Sequence, residues 1–193
     1  MGTFVHYYNV DAIDRSYRNA TVMNRSSRCY EMNLKISDKL KSNSFEGKRC
    51  FIIAGGESLQ GFDCNRLSND LSVGINKAFQ FYRDSTVNYS MDQDLYDKIH
   101  DGRLSNHSGL DVLEKWNEYR GIRVFLCPLT QKQFSKDVYL VKRTHSDIVS
   151  KDPSYGIYPG RNSAVGALML AISLGANPIY LLGYDMYAKT KSH

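Results

Sequence analysis

No apolar run in this sequence approaches the roughly 18 residues that a membrane span requires. The opening residues, MGTFVHYYNV, lack the basic start and apolar middle of a secretory signal. Four positions after Gly2 stands His6 rather than Ser or Thr, so the myristoylation pattern is missing too. The expectation is a cytoplasmic chain with no membrane span. The four cysteines, Cys29, Cys50, Cys64 and Cys127, form no CxxC pair and have no histidine at ligand spacing. That argues against a zinc module and against a disulfide framework. Cys50 and Cys127 sit in apolar runs that suit buried, reduced thiols. Internal repeats and low-complexity tracts are absent. The net charge of +5 is not gathered into one basic tract, and base-stacking motifs for RNA are missing. A nucleic acid is therefore not the favoured partner; a nucleotide or nucleotide-sugar satisfies the same charge with fewer residues.

What is present fits one globular core: 193 residues, 42% hydrophobic and 23% charged. Residues 1–46 are polar and weakly periodic, with one short helix expected over Tyr30 to Leu40. They read as an N-terminal extension, lying over the main domain or forming a contact in a homo-oligomer. Over residues 47–193 the pattern becomes regular. Apolar, β-branched runs recur at 50–54, 71–76, 87–92, 122–128, 137–142 and 179–183, each of strand length. Between them, SGLDVLEKWNEYRG (108–121) repeats Leu110, Leu113, Trp116 and Tyr119 at helical spacing. SAVGALMLAISLG (163–175) begins at Ser163, a residue suited to N-capping, and stops at Gly175. Strands alternating with helices predict a single α/β domain, Rossmann-like, with a mostly parallel sheet and flanking helices.

In such sheets ligands bind outside the carboxyl ends of the strands. Polar residues gather at those ends: Gly55, Gly56, Glu57 and Ser58, then Asn76 and Lys77, then Asp92, and finally GYDMY at 183–187. Two successive glycines allow positive φ and a concavity of N–H groups around an anion, or they make a plain turn. Arg161 beside the start of a buried helix suits a phosphate or carboxylate, or is solvated. Asp185 and Asp92 suit a sugar hydroxyl, a metal or structural hydrogen bonds, and Tyr187 suits a phosphate or a proton transfer.

The blocks CFIIAGGESLQGFD, VGINKAF and GRNSAVGALMLAISLGANPIYLLGYDMY, in that order, resemble the bacterial sialyltransferases of glycosyltransferase family 42. They are also similar to the wider 6-hydroxymethylpterin diphosphokinase MptE-like group, many of whose members are phage-encoded. The resemblance covers about Gly47 to His193. It implies a Rossmann-like nucleotide-binding domain in which Ala54, Gly55, Gly56 and Ser58 line the phosphates and ribose. It further implies that Asn76 meets the nucleotide and that Arg161, Asn162 and Ser163 hold base, acceptor or phosphate. Asp185 would lie beside the ligand and Tyr187 would contact the departing phosphate. The sialyltransferase catalytic-base histidine lies beyond residue 193, and His193 falls where those proteins carry a second tyrosine. Glu57 and Gly55 depart from the sialyltransferase loop, which has proline and asparagine there.

Three readings follow. The first is a nucleotide-sugar-dependent glycosyltransferase-like protein, with a CMP-sugar as donor. Tyr187 and Arg161 would stabilise the leaving phosphate, and His193 would be a candidate base. The second is an ATP-dependent diphosphokinase-like enzyme in which Asp92 and Asp185 place Mg²⁺. The third is a nucleotide-binding module without chemistry.

Overall fold

The computed structural model describes residues 29–104, 109–128, 132–144 and 150–185. Seven strands form one sheet: β1 (Leu34–Lys35), β2 (Cys50–Ile53), β3 (Leu71–Ile75), β4 (Val87–Ser90), β5 (Ile122–Leu126), β6 (Val138–Val141) and β7 (Ile179–Leu182). Their order is β1-β6-β5-β4-β3-β2-β7, and all six pairings are parallel. This is the Rossmann-like α/β sheet expected from the alternation of apolar runs. β4, with no polar interruption of its burial, lies in the middle, where a strand must be covered on both faces.

Among the described residues, three helices of eight or more residues frame the sheet: α1 (Gln93–His100), α2 (Gly109–Glu118) and α3 (Ser163–Ser173). α3 packs over β4, β3 and β2. Ala167, Leu170 and Ala171 of α3 lie in one core with Val73, Val87, Val124 and Val141. The opposite face buries Trp116 of α2 against Phe79 and Phe125, edge to face with ring centroids 5.1 and 6.2 Å away. At the β7 margin Phe51 and Tyr180, directly opposite in register, stack at 5.0 Å and fasten β7 onto β2. All four cysteines are buried and unbridged, and burial pushes the Cys50 thiol up to about 12.

Two local features depart from expectation. The helix expected over Tyr30 to Leu40 is interrupted by β1, which leaves residues 29–32 helical and a single turn at Ile36–Lys39. Asn33 is the reason. Its amide donates to Cys29 O (2.8 Å) and Lys132 O (2.9 Å), and its oxygen accepts from the Phe134 N–H (2.8 Å). A side chain so engaged competes with helical hydrogen bonding and ties this stretch to the segment before β6. Residues 29–46 thus bring Cys29, Tyr30, Ile36 and Phe45 into the buried cores. The second departure is α1, which expectation left without a helix. Asp92 caps it by accepting from the Asp94 N–H (3.0 Å), and Leu95 and Ile99, four apart, form its buried stripe.

Candidate functional site

The polar strand ends converge at one margin of the sheet, and hydrogen bonds sort them into two groups. The first lies where β2 and β7 finish. Ala54 continues the ladder, its N–H donating to Leu182 O (2.9 Å), and the Gly56 N–H donates to Gly183 O (3.0 Å). The Asp185 carboxylate then accepts the Ser58 N–H at 2.7 Å and closes the turn. Neither Gly55 nor Gly56 has positive φ, so the anion-holding concavity expected of the pair is not formed. Gly56 is a glycine for lack of room: a Cβ there would stand 2.4 Å from Gly183 O and 2.6 Å from Asp185 Oδ2.

This clasp revises the part expected of Ser58. Its hydroxyl and N–H, which the resemblance turns toward a phosphate, hold the Asp185 carboxyl below its ordinary range instead. A phosphate at the Ser58 N–H would have to displace a carboxylate already seated there. The N–H groups of Gly55 and Glu57 remain without acceptors among the described residues. Because the Asp185 carboxyl is depressed, the clasp contributes fully above the unfolded-state pKa of about 3.9 and is lost as pH falls through the folded one. The melting difference between wild type and Asp185→Asn should therefore stay constant from neutral pH to about pH 5 and vanish in stronger acid. A difference unchanged in strong acid would show that the carboxylate's charge plays no part.

The second group centres on Asn76, whose φ of 53° is the left-handed conformation that Asn tolerates better than most residues. Its side-chain oxygen accepts two hydroxyls, Ser90 Oγ at 2.9 Å and Ser163 Oγ at 3.0 Å. Each hydroxyl in turn accepts a backbone N–H, that of Asp92 on Ser90 (3.0 Å) and that of Met91 on Ser163 (3.3 Å). Both hydroxyl protons are thereby committed to the Asn76 oxygen, which fixes the orientation of the amide. Its Nδ2 has no acceptor among the described residues. The Asn88 amide steadies the turn by donating to Asn76 O at 3.0 Å. Ser90 was not among the expected site residues; its only sequence signal is its place at the end of the run VNYS.

At α3 the cap is Asn162, whose Oδ1 accepts the Val165 N–H at 2.9 Å. Ser163, expected to be the cap, is instead the first helical residue, and its hydroxyl is free to reach Asn76. The N–H groups of Ser163 and Ala164 have no acceptor among the described residues and lie at the positive end of the helix dipole. Arg161 is exposed and makes no ion pair among the described residues. Tyr187 and His193 lie outside the described residues.

The two carboxylates expected to place Mg²⁺ follow different strands. Asp92 caps α1 after β4, and Asp185 clasps Ser58 after β7. Three inter-strand spacings, about 14 Å, separate those strands. Among the described residues no group of three or more His, Cys, Asp or Glu is gathered to hold a metal.

No protein-family model matches the chain, and no curated protein matches it. Among solved structures, a MAf glycosyltransferase from Magnetospirillum magneticum AMB-1 is similar, with a TM-score of 0.55 and 14% sequence identity. The likeness covers 90% of this chain but only 28% of that protein. At that identity it shows the fold, an α/β domain of the kind described above.

Proposed function

We propose that the chain is a nucleotide-sugar-dependent glycosyltransferase-like domain that binds its nucleotide at the carboxyl ends of β2, β3 and β7. The observation that carries this reading is the Asn76 amide, held by two serine hydroxyls with its NH₂ left for a ligand. Beside it lie the unspent N–H groups that open α3, with Arg161 just before them. Together they make a cradle for a nucleotide phosphate. The Asp185 carboxylate keeps acceptor capacity beyond its bond to Ser58, which suits a ribose hydroxyl better than an anion. Phosphate at α3 and ribose at the clasp is thus the polarity the charges favour.

The glycosyltransferase class is supported by the fold shared with the MAf glycosyltransferase and by the resemblance of the three sequence blocks to sialyltransferases. That resemblance also supports a CMP-sugar as donor. Arg161 would offset charge developing on the departing phosphate, with Tyr187 as a second donor and His193 as a candidate base. The separation of Asp92 from Asp185 weighs against the diphosphokinase-like alternative.

A thermal-stability panel of CMP, CDP, UDP, AMP and ATP, each with and without Mg²⁺, tests this. A nucleotide at about 100 times its Kd adds roughly 2.7 kcal/mol to stability. Stabilisation by CMP without metal is the expected result. Stabilisation by ATP only with Mg²⁺, or by no nucleotide, would sink the reading.

A further inference from the structure

β6 ends at Val141, and the chain runs on through Arg143 alongside Ile157. The Ile157 N–H donates to Lys142 O and the Thr144 N–H to Ile157 O, both at 2.9 Å. Arg143 is thereby held on the same margin of the sheet as the nucleotide cradle. Val141, two residues earlier, and Ile157 belong to the α3-side core, so alternation along the extended chain places the Arg143 side chain on that face. The side chain is half-buried, and its Nε is shut off from solvent with no hydrogen-bond partner. No carboxylate among the described residues pairs with it. Burial pushes its ionisation down, opposed by Tyr89 and then Cys127.

Tyr89, on the central strand β4, is 0% exposed, and its hydroxyl also has no partner. That hydroxyl lies against α3 at Gly166, where a Cβ would come within 2.3 Å of it. Glycine at that position is what lets the phenol reach so close to the helix. Two enclosed donors, one of them cationic, thus lie near each other with nothing to accept from them. Buried donors in native proteins are nearly always satisfied, and an enclosed cation without an anion is costly. Guanidinium accepts no hydrogen bond, so what the pair lacks is an acceptor with negative charge.

We propose that Arg143 and the Tyr89 hydroxyl bind an oxyanion of a ligand, a carboxylate or a phosphoryl group, on the α3 face of the sheet. The planar guanidinium supplies the charge and the phenol a second hydrogen bond. The inference rests on these buried atoms and not on the glycosyltransferase reading.

The test is a titration of the full chain with inorganic phosphate and with acetate, following the Arg143 Nε–H resonance by ¹⁵N NMR. Arg143→Lys assigns that resonance by removing it. A saturable shift is expected, weakened about tenfold or more by Tyr89→Phe, which deletes only the unpaired hydroxyl. The anion that binds more tightly tells a phosphoryl-bearing from a carboxylate-bearing ligand. The anion titration reads Arg143 directly and the nucleotide panel reads the Asn76 cradle, so the two readings fail separately. Arg143→Met should also raise the melting temperature of the free protein, since it removes an uncompensated buried charge. No saturable shift with either anion, an undiminished shift in Tyr89→Phe, or a lower melting temperature in Arg143→Met would each overturn the proposal.

Discussion

Asn76→Asp is expected to fold normally and to lose nucleotide binding by more than about a thousandfold. Asp tolerates the left-handed backbone nearly as well as Asn. One carboxylate oxygen can still accept the Ser90 and Ser163 hydroxyls. What changes is the outward group, from an NH₂ donor to an oxygen carrying negative charge. Losing a hydrogen bond to a charged phosphate costs about 1.5–3 kcal/mol. Like-charge repulsion at about 4 Å adds about 4 kcal/mol at an effective dielectric constant near 20. Asn76→Ala makes the useful contrast, because there the fold itself should suffer. It puts alanine at positive φ, costing about 1–2 kcal/mol, and leaves two hydroxyls without their acceptor. Chemical denaturation and nucleotide titration on both variants separate the two effects. Undiminished nucleotide affinity in Asn76→Asp would remove this amide from the binding site.

Gly56→Ala should lower stability by about 1–3 kcal/mol, the usual cost of overpacking, and open the clasp between β2 and β7. For a chain of this length that is a melting drop of roughly 2–4 °C per kcal/mol. The backbone at Gly56, φ −71° and ψ 154°, suits alanine, so strain in the dihedrals is not the cause. The added methyl would meet Gly183 O, a backbone atom with no rotamer to yield, as well as the Asp185 carboxylate. Gly55→Ala is the control. A Cβ there meets nothing within 4 Å, so its effect should stay within about 0.5 kcal/mol. Equal melting temperatures for the two variants would show that the clasp does not constrain position 56.

The framework of the fold is written plainly in the sequence because most of its strands are short, largely apolar runs. Runs such as CFII and IRVFL need no knowledge of their neighbours to be read as strands. β1 is harder because it has only Leu34 and Lys35, and its pairing with Tyr139 and Leu140 lies a hundred residues away. α1 was hidden by its charges; only Leu95 and Ile99 mark its buried stripe.

At the candidate site, which residues stand at strand and helix ends was legible and which of them touch was not. Gly56, Asn76, Ser163 and Asp185 all stand at strand or helix ends, as their positions in the sequence indicate. Which of them touches which depends on register between strands far apart in the chain. Nothing near Ser58 announces that Asp185, 127 residues later, takes its N–H. Ser90 and Arg143 were missed for the same reason. A serine after VNY, or an arginine within VKRT, acquires meaning only from what the sheet places beside it.

The strand order has a consequence for how the protein is made. β2 to β6 lie side by side in the order of synthesis, each new strand joining the outside of the last. β7 alone turns back, to cover the free margin of β2. On the ribosome, a nascent chain can therefore lay down most of its sheet while that margin stays bare and able to pair with other chains. α3 and Asp185, which complete the cradle and the clasp, emerge only after residue 163. On the proposed reading, binding competence thus waits for residues 163–185, long after most of the sheet has been laid down.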